Sequence, residues 1–198
     1  MKFKSFAPAV LAAAVLGGCV APIGPVEVTR FHAPDIAPLG RGTVSVEAAP
    51  GEDPNSLELR TYRYAVARQL VLLGYTEAAS GVPGAQVAQV RLSRQTTQPQ
   101  RAGSPVSVGV GGSAGSYGSG LGLGIGIDLS GKPPALTETE LGVMIKDRAS
   151  GQALWEGRAS FTVRADSPMA DTSLGAAKMA EALFKGFPGQ SGETIQVK

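Results

Sequence analysis

The sequence predicts an α+β domain: a mainly antiparallel sheet with two helices packed on one face, plus a glycine-rich insertion. Three observations lead to this expectation. Apolar residues alternate in several short segments, they recur at three- and four-residue steps in two longer segments, and glycine alternates with aliphatic residues between positions 103 and 131. A chain of 198 residues is long enough to bury one hydrophobic core as a single domain.

The amino-terminal segment has the features of a secretion signal. Lys2 and Lys4 give it a basic start, and an apolar, alanine-rich run over residues 6–16 leads into the small residues before Cys19. A membrane-spanning helix needs about 20 apolar residues, so this run is too short to be one. An ordinary transmembrane anchor followed by a buried thiol is therefore disfavoured.

The same segment resembles the signals of bacterial lipoproteins. The resemblance implies that a signal peptidase recognises Leu16, Gly17 and Gly18, that cleavage follows Gly18, and that Cys19 carries a thioether-linked diacylglycerol and an acylated amino terminus. Val20, rather than Asp, at the next position implies the outer membrane, with the domain facing the periplasm. We expect residues 1–18 to be the signal peptide, residues 19–25 a lipidated tether, and residues 26–198 the single domain.

Removal of the signal changes the charge balance of the chain. The precursor has 18 basic and 16 acidic residues, and the signal contains Lys2 and Lys4 but no acidic residue. The mature chain is therefore formally neutral, and nucleic acid is not an expected partner. Cys19 is the sole cysteine, so the fold has no disulfide and depends on its core.

The first half of the domain reads as strands around one helix. Residues 26–31 and 42–47 alternate as strands, and Asn55 or Ser56 is placed to cap a helix that ends at Gly74. The apolar positions of this helix recur at helical spacing: Leu59, Tyr62, Val66, Leu70 and Leu73. Residues 75–79 and 85–95 are expected to form two further strands.

The second half contains a hairpin whose register can be predicted. Ile145 and Trp155 lie opposite each other if the loop between their strands has an odd number of residues. A three-residue loop, Ala149-Ser150-Gly151, meets this condition and predicts a positive φ at Gly151. Asp171 or Thr172 is placed to cap a second helix, and residues 192–197 are expected to return as a last strand.

The glycine-rich insertion over residues 103–131 alternates most regularly in its second half. Glycines separate the aliphatic residues of the candidate interaction surface, Leu121, Leu123, Ile125 and Ile127. A weaker repeat at Val106, Val108 and Val110 predicts a hairpin that turns near residues 113–119. One interpretation is a surface for another strand, a lipid or a partner protein; the other is a mobile low-complexity insertion. A dinucleotide loop is disfavoured because Lys132-Pro133-Pro134 follows instead of a helix.

The sequence has no recognisable catalytic or metal-binding motif. His32 is the sole imidazole, and the pair Glu138 and Glu140 alternates as a solvated strand face does. Candidate nucleophiles lack a nucleophile elbow: Ser56, Ser93 and Ser160. We therefore expect no catalytic residues, no metal and no cofactor besides the lipid on Cys19. A group of arginines, Arg91, Arg94 and Arg101, reads either as a basic strip or as a solvated face.

Besides the tetrad that ends at Cys19, the chain contains five short motifs: Val28-Thr29-Arg30-Phe31-His32, Gly42-Thr43-Val44, Leu73-Gly74-Tyr75, Leu154-Trp155-Glu156-Gly157 and the stretch over residues 183–189. In combination they are similar to one family of bacterial lipoproteins, the domain of unknown function 4136. The resemblance implies an envelope lipoprotein with an α+β domain and supplies no catalytic residues.

Three functions remain open from the sequence. The first is a non-enzymatic module that is anchored to the membrane and contacts another envelope component through a sheet edge or the glycine-rich hairpin. The second is a periplasmic carrier of a small apolar ligand, and the third is a hydrolase with a dispersed site. A large dry pocket lined by Val90, Ile145 and Phe161 would favour the carrier, whereas a packed interior would favour the contact module.

Overall fold

The computed structural model describes residues 24–99, 106–115, 118–127 and 133–198. Two helices, α1 (Leu57–Leu72) and α2 (Thr172–Phe184), accompany nine strands in the described part of the chain. The strands are β1 (Val26–His32), β2 (Thr43–Ala48), β3 (Thr76–Glu77), β4 (Gln86–Thr97), β5 (Val106–Gly115), β6 (Gly118–Ile127), β7 (Leu136–Asp147), β8 (Ala153–Arg164) and β9 (Thr194–Val197).

The main sheet is mixed, and the expectation of a mainly antiparallel sheet is wrong. Its seven strands lie in the order β3-β2-β4-β7-β8-β1-β9. Strand β2 pairs in parallel with β3 on one side and with β4 on the other. The pairs from β4 to β9 are antiparallel.

The parallel pair of β2 and β3 follows from the helix that separates them, and residues 78–85 then return the chain to the start of β2, so that β4 is also parallel to it. A helix that packs across a sheet returns the chain to the edge from which the preceding strand began, so the next strand runs in the same direction. Helix α1 makes this crossover, and Ala78 N then donates to Val44 O at 3.0 Å as the chain leaves β3. The strand-helix-strand order in the sequence carried this information, and an antiparallel prediction ignored it.

The hairpin of β7 and β8 has the predicted register, but its loop differs from the prediction and a β-bulge compensates. Ile145 lies opposite Trp155, and Gly151 has a φ of 72°, which confirms both expectations. The three-residue loop is wrong, because β7 ends at Asp147 and β8 begins at Ala153. Lys146 pairs with Ala153, so a bulge at Leu154 shifts the register by one residue and places Trp155 opposite Ile145.

Both helices pack against one face of the sheet, and their caps agree with the sequence. Ser56 Oγ accepts from Leu59 N at 3.3 Å, and Asp171 Oδ1 accepts from Ser173 N at 2.8 Å. Gly74 ends the first helix with a φ of 104°. A single core joins the helices to the sheet; its largest fully buried side chains are Trp155, Tyr62, Phe161, Leu70, Leu141, Ile145, Met179 and Leu183.

At Gly157 in β8 the packed core leaves no room for a side chain. A Cβ built there would lie 2.2 Å from Cη2 of Trp155 and 2.9 Å from Cδ1 of Leu183. The indole therefore lies across the bare backbone of Gly157. In β7, by contrast, a Cβ built on Gly142 would meet its nearest neighbour, Arg91 Cβ, at an ordinary 3.7 Å.

This difference predicts opposite effects of two glycine-to-alanine substitutions. Gly157→Ala should lower the free energy of unfolding by about 3 kcal/mol, because a buried indole must move. Gly142→Ala is the matched control and should leave stability unchanged or raise it by about 0.5 kcal/mol, since glycine weakens a strand interior. Urea denaturation followed by Trp155 fluorescence measures both, and equal losses would contradict the packing argument.

Candidate contact surfaces

The glycine-rich insertion contains a two-stranded hairpin that forms a sheet of its own. Strands β5 and β6 are antiparallel, and their innermost pair is Gly115 with Gly118, as the sequence predicted for a turn between residues 113 and 119. Directly paired residues of antiparallel strands lie on the same face. One face of the hairpin therefore carries the aliphatic positions Val106, Val108, Val110, Leu121, Leu123, Ile125 and Ile127.

The opposite face of this hairpin carries glycine and serine. Its register pairs are Ser107 with Gly126, Gly109 with Gly124, Gly111 with Gly122 and Ser113 with Gly120. The candidate residues Leu121, Leu123, Ile125 and Ile127 thus share one face with the valines of β5. Leu16, Gly17, Gly18 and Cys19 lie outside the described residues, so their predicted roles stay predictions.

A second surface lies at the edge of the main sheet. Strand β3 has only two residues and pairs with Thr43 and Val44, so β2 extends beyond it. Arg63 of α1 donates from Nη2 to Val46 O at 2.7 Å, and its Nε is buried without a hydrogen-bond partner among the described residues. A pocket of about 400 Å³ opens here; its lining comes from β2, Arg63 and residues 77–83. The guanidinium thus takes the place of the backbone donor that a longer β3 would supply to Val46 O.

The interior between sheet and helices is packed where a carrier would need space. Val90 and Ile145 are fully buried, Phe161 is 2% exposed, and all three belong to the one core. Neither the pocket at the β2 edge nor a smaller one on the open sheet face beside Gly142 is lined by Val90, Ile145 or Phe161. The carrier hypothesis therefore gains no support from the described part of the chain.

Motifs from distant parts of the sequence meet in one buried cluster. Trp155 stacks on Phe184 with ring centroids 5.3 Å apart, lies 5.2 Å from Phe187, and donates from Nε1 to Pro188 O at 3.0 Å. Arg30, only 3% exposed, donates from Nη1 to Lys185 O at 2.6 Å. Burial lowers the pKa of the Arg30 guanidinium, and the charge of Glu193 partly opposes this effect. These motifs hold the carboxyl-terminal segment against the sheet.

Arg94 joins both helices to the sheet, a role that the sequence did not indicate. Its Nη1 donates to Glu58 Oε1 at 2.7 Å and to Thr172 Oγ1 at 2.9 Å, and its Nη2 donates to Ala170 O. Arg91 lies three positions away on the same strand and therefore on the opposite face. Its contact with Glu52 is 3.9 Å long, and its side chain is 65% exposed. The interpretation as a basic strip is therefore wrong for this pair, because the two arginines do not share a face, and Arg101 lies outside the described residues.

Three of the other polar candidates, His32, Ser56 and Glu140, have local partners. His32 shares a hydrogen bond of 2.7 Å between Nδ1 and Ala33 O, and Ser56 caps α1. Glu140 lies 3.3 Å from Arg158 Nε on the open face of the sheet. Within the described ranges, no three His, Cys, Asp or Glu residues are grouped as metal ligands would be. No helix in those ranges has the length and apolarity needed to cross a bilayer.

A mixed sheet with two helices on one face defines a two-layer α+β protein whose distinctive motifs are buried and structural. The family model of the domain of unknown function DUF4136 matches residues 40–189. The chain belongs to this family.

Known proteins are similar to the chain either in sequence or in structure. An uncharacterized protein of Zymomonas mobilis is 28% identical over 218 aligned positions, which cover 88% of this chain and 80% of the relative. A PDZ domain protein from Parabacteroides distasonis is similar in structure, with a TM-score of 0.50 and 10% identity. The match covers 88% of this chain but only 39% of that protein, and it concerns the fold alone.

A lower structural similarity relates the chain to the PelC dodecamer from Paraburkholderia phytofirmans. The TM-score is 0.42 at 12% identity, and the match covers 80% of this chain and 96% of that one.

The contacts of Arg94 predict a stability difference between two arginines of one strand. Arg94→Gln should lower the free energy of unfolding by about 2 kcal/mol, because it removes hydrogen bonds that reach both helix amino termini. Arg91→Gln, the control on the exposed face, should change it by less than about 0.5 kcal/mol. Urea denaturation gives both values, and a loss of the same size at Arg91 would contradict the assignment.

Proposed function

We propose that this chain is a lipid-anchored lipoprotein of the bacterial cell envelope whose domain contacts another envelope component and catalyses no reaction. In this proposal Cys19 carries the lipid, the outer membrane holds the anchor, and the domain faces the periplasm. The contact surface is the β2 edge or the glycine-rich hairpin. The observation that carries the proposal is the packed interior: Val90, Ile145 and Phe161 are buried in the core instead of lining a ligand cavity.

The arrangement of the β2 edge supports a protein contact there. Strand β3 is too short to pair with the whole of β2, and Arg63 is the group that reaches Val46 O. An extended peptide adds to a sheet by hydrogen bonding to such an edge, and its side chains enter flanking pockets. Ser45, Ser80 and Arg63 provide polar groups in the adjoining pocket, and Val82, which is 59% exposed, provides an apolar one.

Acylation of Cys19 is tested by mass spectrometry of the protein purified from its own host. The expected mature chain begins at Cys19 and carries the added mass of a diacylglycerol and a fatty acid. A Cys19→Ser precursor, expressed alongside, should lack both additions. An unmodified sulfur in the wild-type protein would contradict the anchor.

The protein contact is tested by crosslinking in intact cells. A photoreactive amino acid replaces Ala79, an exposed residue at the β2-edge pocket, or Ala177, an exposed residue on the outer surface of α2. We expect a defined crosslinked protein from position 79 and none from position 177, because only the first adjoins strand backbone that β3 does not pair. The same products from both positions, or no product from position 79, would count against a contact at this edge.

A further inference from the structure

The amino-terminal tether and the glycine-rich hairpin leave the main sheet at the same end. A Cβ built on Gly24 would lie 3.9 Å from Thr162 O, so the chain enters β1 beside the end of β8. Arg164, two residues further along β8, pairs with Leu136 of β7, and Leu136 pairs with Thr97 of β4. Thr97 is the last paired residue before the insertion, and Leu136 is the first paired residue of the main sheet after it. The Gln98 side chain donates to Pro133 O at 2.8 Å and closes its base.

The dimensions of the chain keep the hairpin near the site of anchoring. Strands β1 and β4 are three positions apart in the sheet, which corresponds to about 15 Å. Cys19 is five residues before Gly24, so a fully extended tether reaches at most about 18 Å. A bilayer that holds the lipid on Cys19 therefore lies within reach of this end of the sheet. Each hairpin strand, with ten residues, is about 34 Å long.

The composition of the hairpin favours lipid over a protein as its partner. Residues 106–127 contain no charged residue, and the aliphatic face consists of valine, leucine and isoleucine. Protein interfaces are energetically dominated by Trp, Tyr and Arg, and polar groups at their rim set specificity. The paired positions of β5 and β6 offer neither an aromatic ring nor a charge. A continuous aliphatic face is instead suited to a surface that requires burial but no specific shape.

We propose that the aliphatic face of the β5–β6 hairpin lies on the bilayer that holds the lipid on Cys19 and forms a second membrane contact of the domain. The inference rests on the proposed function for the position of that bilayer. The outer edges of the two strands carry backbone N–H and C=O groups that need partners, and hydrocarbon supplies none. The hairpin therefore lies in the interfacial region, where headgroups and water bond to its edges while the aliphatic side chains enter the acyl boundary.

The sole cysteine allows this proposal to be tested without the host's acylation machinery. The mature chain is coupled through the Cys19 thiol to vesicles of phosphatidylethanolamine and phosphatidylglycerol that contain a maleimide lipid. Amide hydrogen exchange is then compared between coupled and free chain. A lone hairpin is marginally stable in water, so contact with lipid should slow exchange in residues 106–127 by about tenfold or more. Residues 148–152, at the opposite end of the sheet, should exchange equally in both states.

Two matched variants separate lipid contact from general ordering. Leu123→Ser/Ile125→Ser/Ile127→Ser removes three aliphatic positions from β6 and should abolish the protection gained on coupling. Gly122→Ser/Gly124→Ser/Gly126→Ser places the same number of serines on the opposite face and should retain it. Trp155 is buried in the core, away from the insertion, and its fluorescence should show a folded domain in all the chains.

Three results would overturn the proposal. They are no added protection on coupling, equal protection in the variant with serines at positions 123, 125 and 127, and loss of protection in both variants alike. Dimeric elution of a free chain whose hairpin is already fully protected would assign the aliphatic face to a second copy. In this experiment maleimide coupling replaces acylation. A negative result here therefore does not contradict the proposed lipid anchor, and an unacylated Cys19 in the host would not contradict a positive result here.

Discussion

The fold depends on the indole of Trp155 lying across the bare backbone of Gly157. This arrangement leaves the ring free to stack on Phe184 and to donate to the carbonyl of Pro188, so one side chain joins the end of α2 and the following segment to the sheet. Buried aromatic rings contribute both a large apolar area and a directional donor, and the donor must be satisfied. The carbonyl of Pro188 meets this need.

Arg30 extends the same contact on the neighbouring strand. It lies opposite Gly157 in β1, and its guanidinium donates to Lys185 O. A Cβ on Gly189 would approach the guanidinium carbon to 2.9 Å, so a glycine is required where the loop passes over it. Two glycines thus allow one tryptophan and one arginine to reach the carboxyl-terminal loop. Three of the five motifs on which the resemblance to the family rests meet here, and their contacts with one another are structural.

Local patterns in the sequence predicted the elements well, and errors arose where elements combine. The cap at Ser56, the positive φ of Gly151 and the pairing of Ile145 with Trp155 each depend on neighbours along the chain or on one hairpin. The parallel pairing of β2 depends on how α1 crosses the sheet, and alternation within a strand does not record direction. The bulge at Leu154 is similar, since both Leu154 and Trp155 are buried and an alternating pattern cannot accommodate two consecutive core residues.

The candidate surfaces were predictable where they depend on local pattern and were missed where they depend on residues distant in sequence. Alternation over residues 121–127 identified the hairpin, because its register depends on one turn. Arg63 and Arg94 were not identified, because their partners lie on elements distant in sequence: Val46 for Arg63, and Glu58 and Thr172 for Arg94. A charged side chain that follows apolar residues on the same face of a strand, such as Arg94 after Val90 and Leu92, is the signal that could have drawn attention to it.

The topology separates the two proposed contacts along and across the sheet. The tether and the hairpin leave at the end defined by Thr97 and Leu136, whereas the pocket beside Val46 lies near the other end, where Gln86 pairs with Asp147. It also lies at the β2 edge, with β4, β7 and β8 between it and β1. In the proposed arrangement, a bilayer at the tether end leaves the β2 edge open to the periplasm, and a hairpin that lies on lipid restricts how the domain turns about its short tether. The glycine face of that hairpin adds little bulk between the domain and the membrane, which is consistent with a tether of only seven residues over positions 19–25.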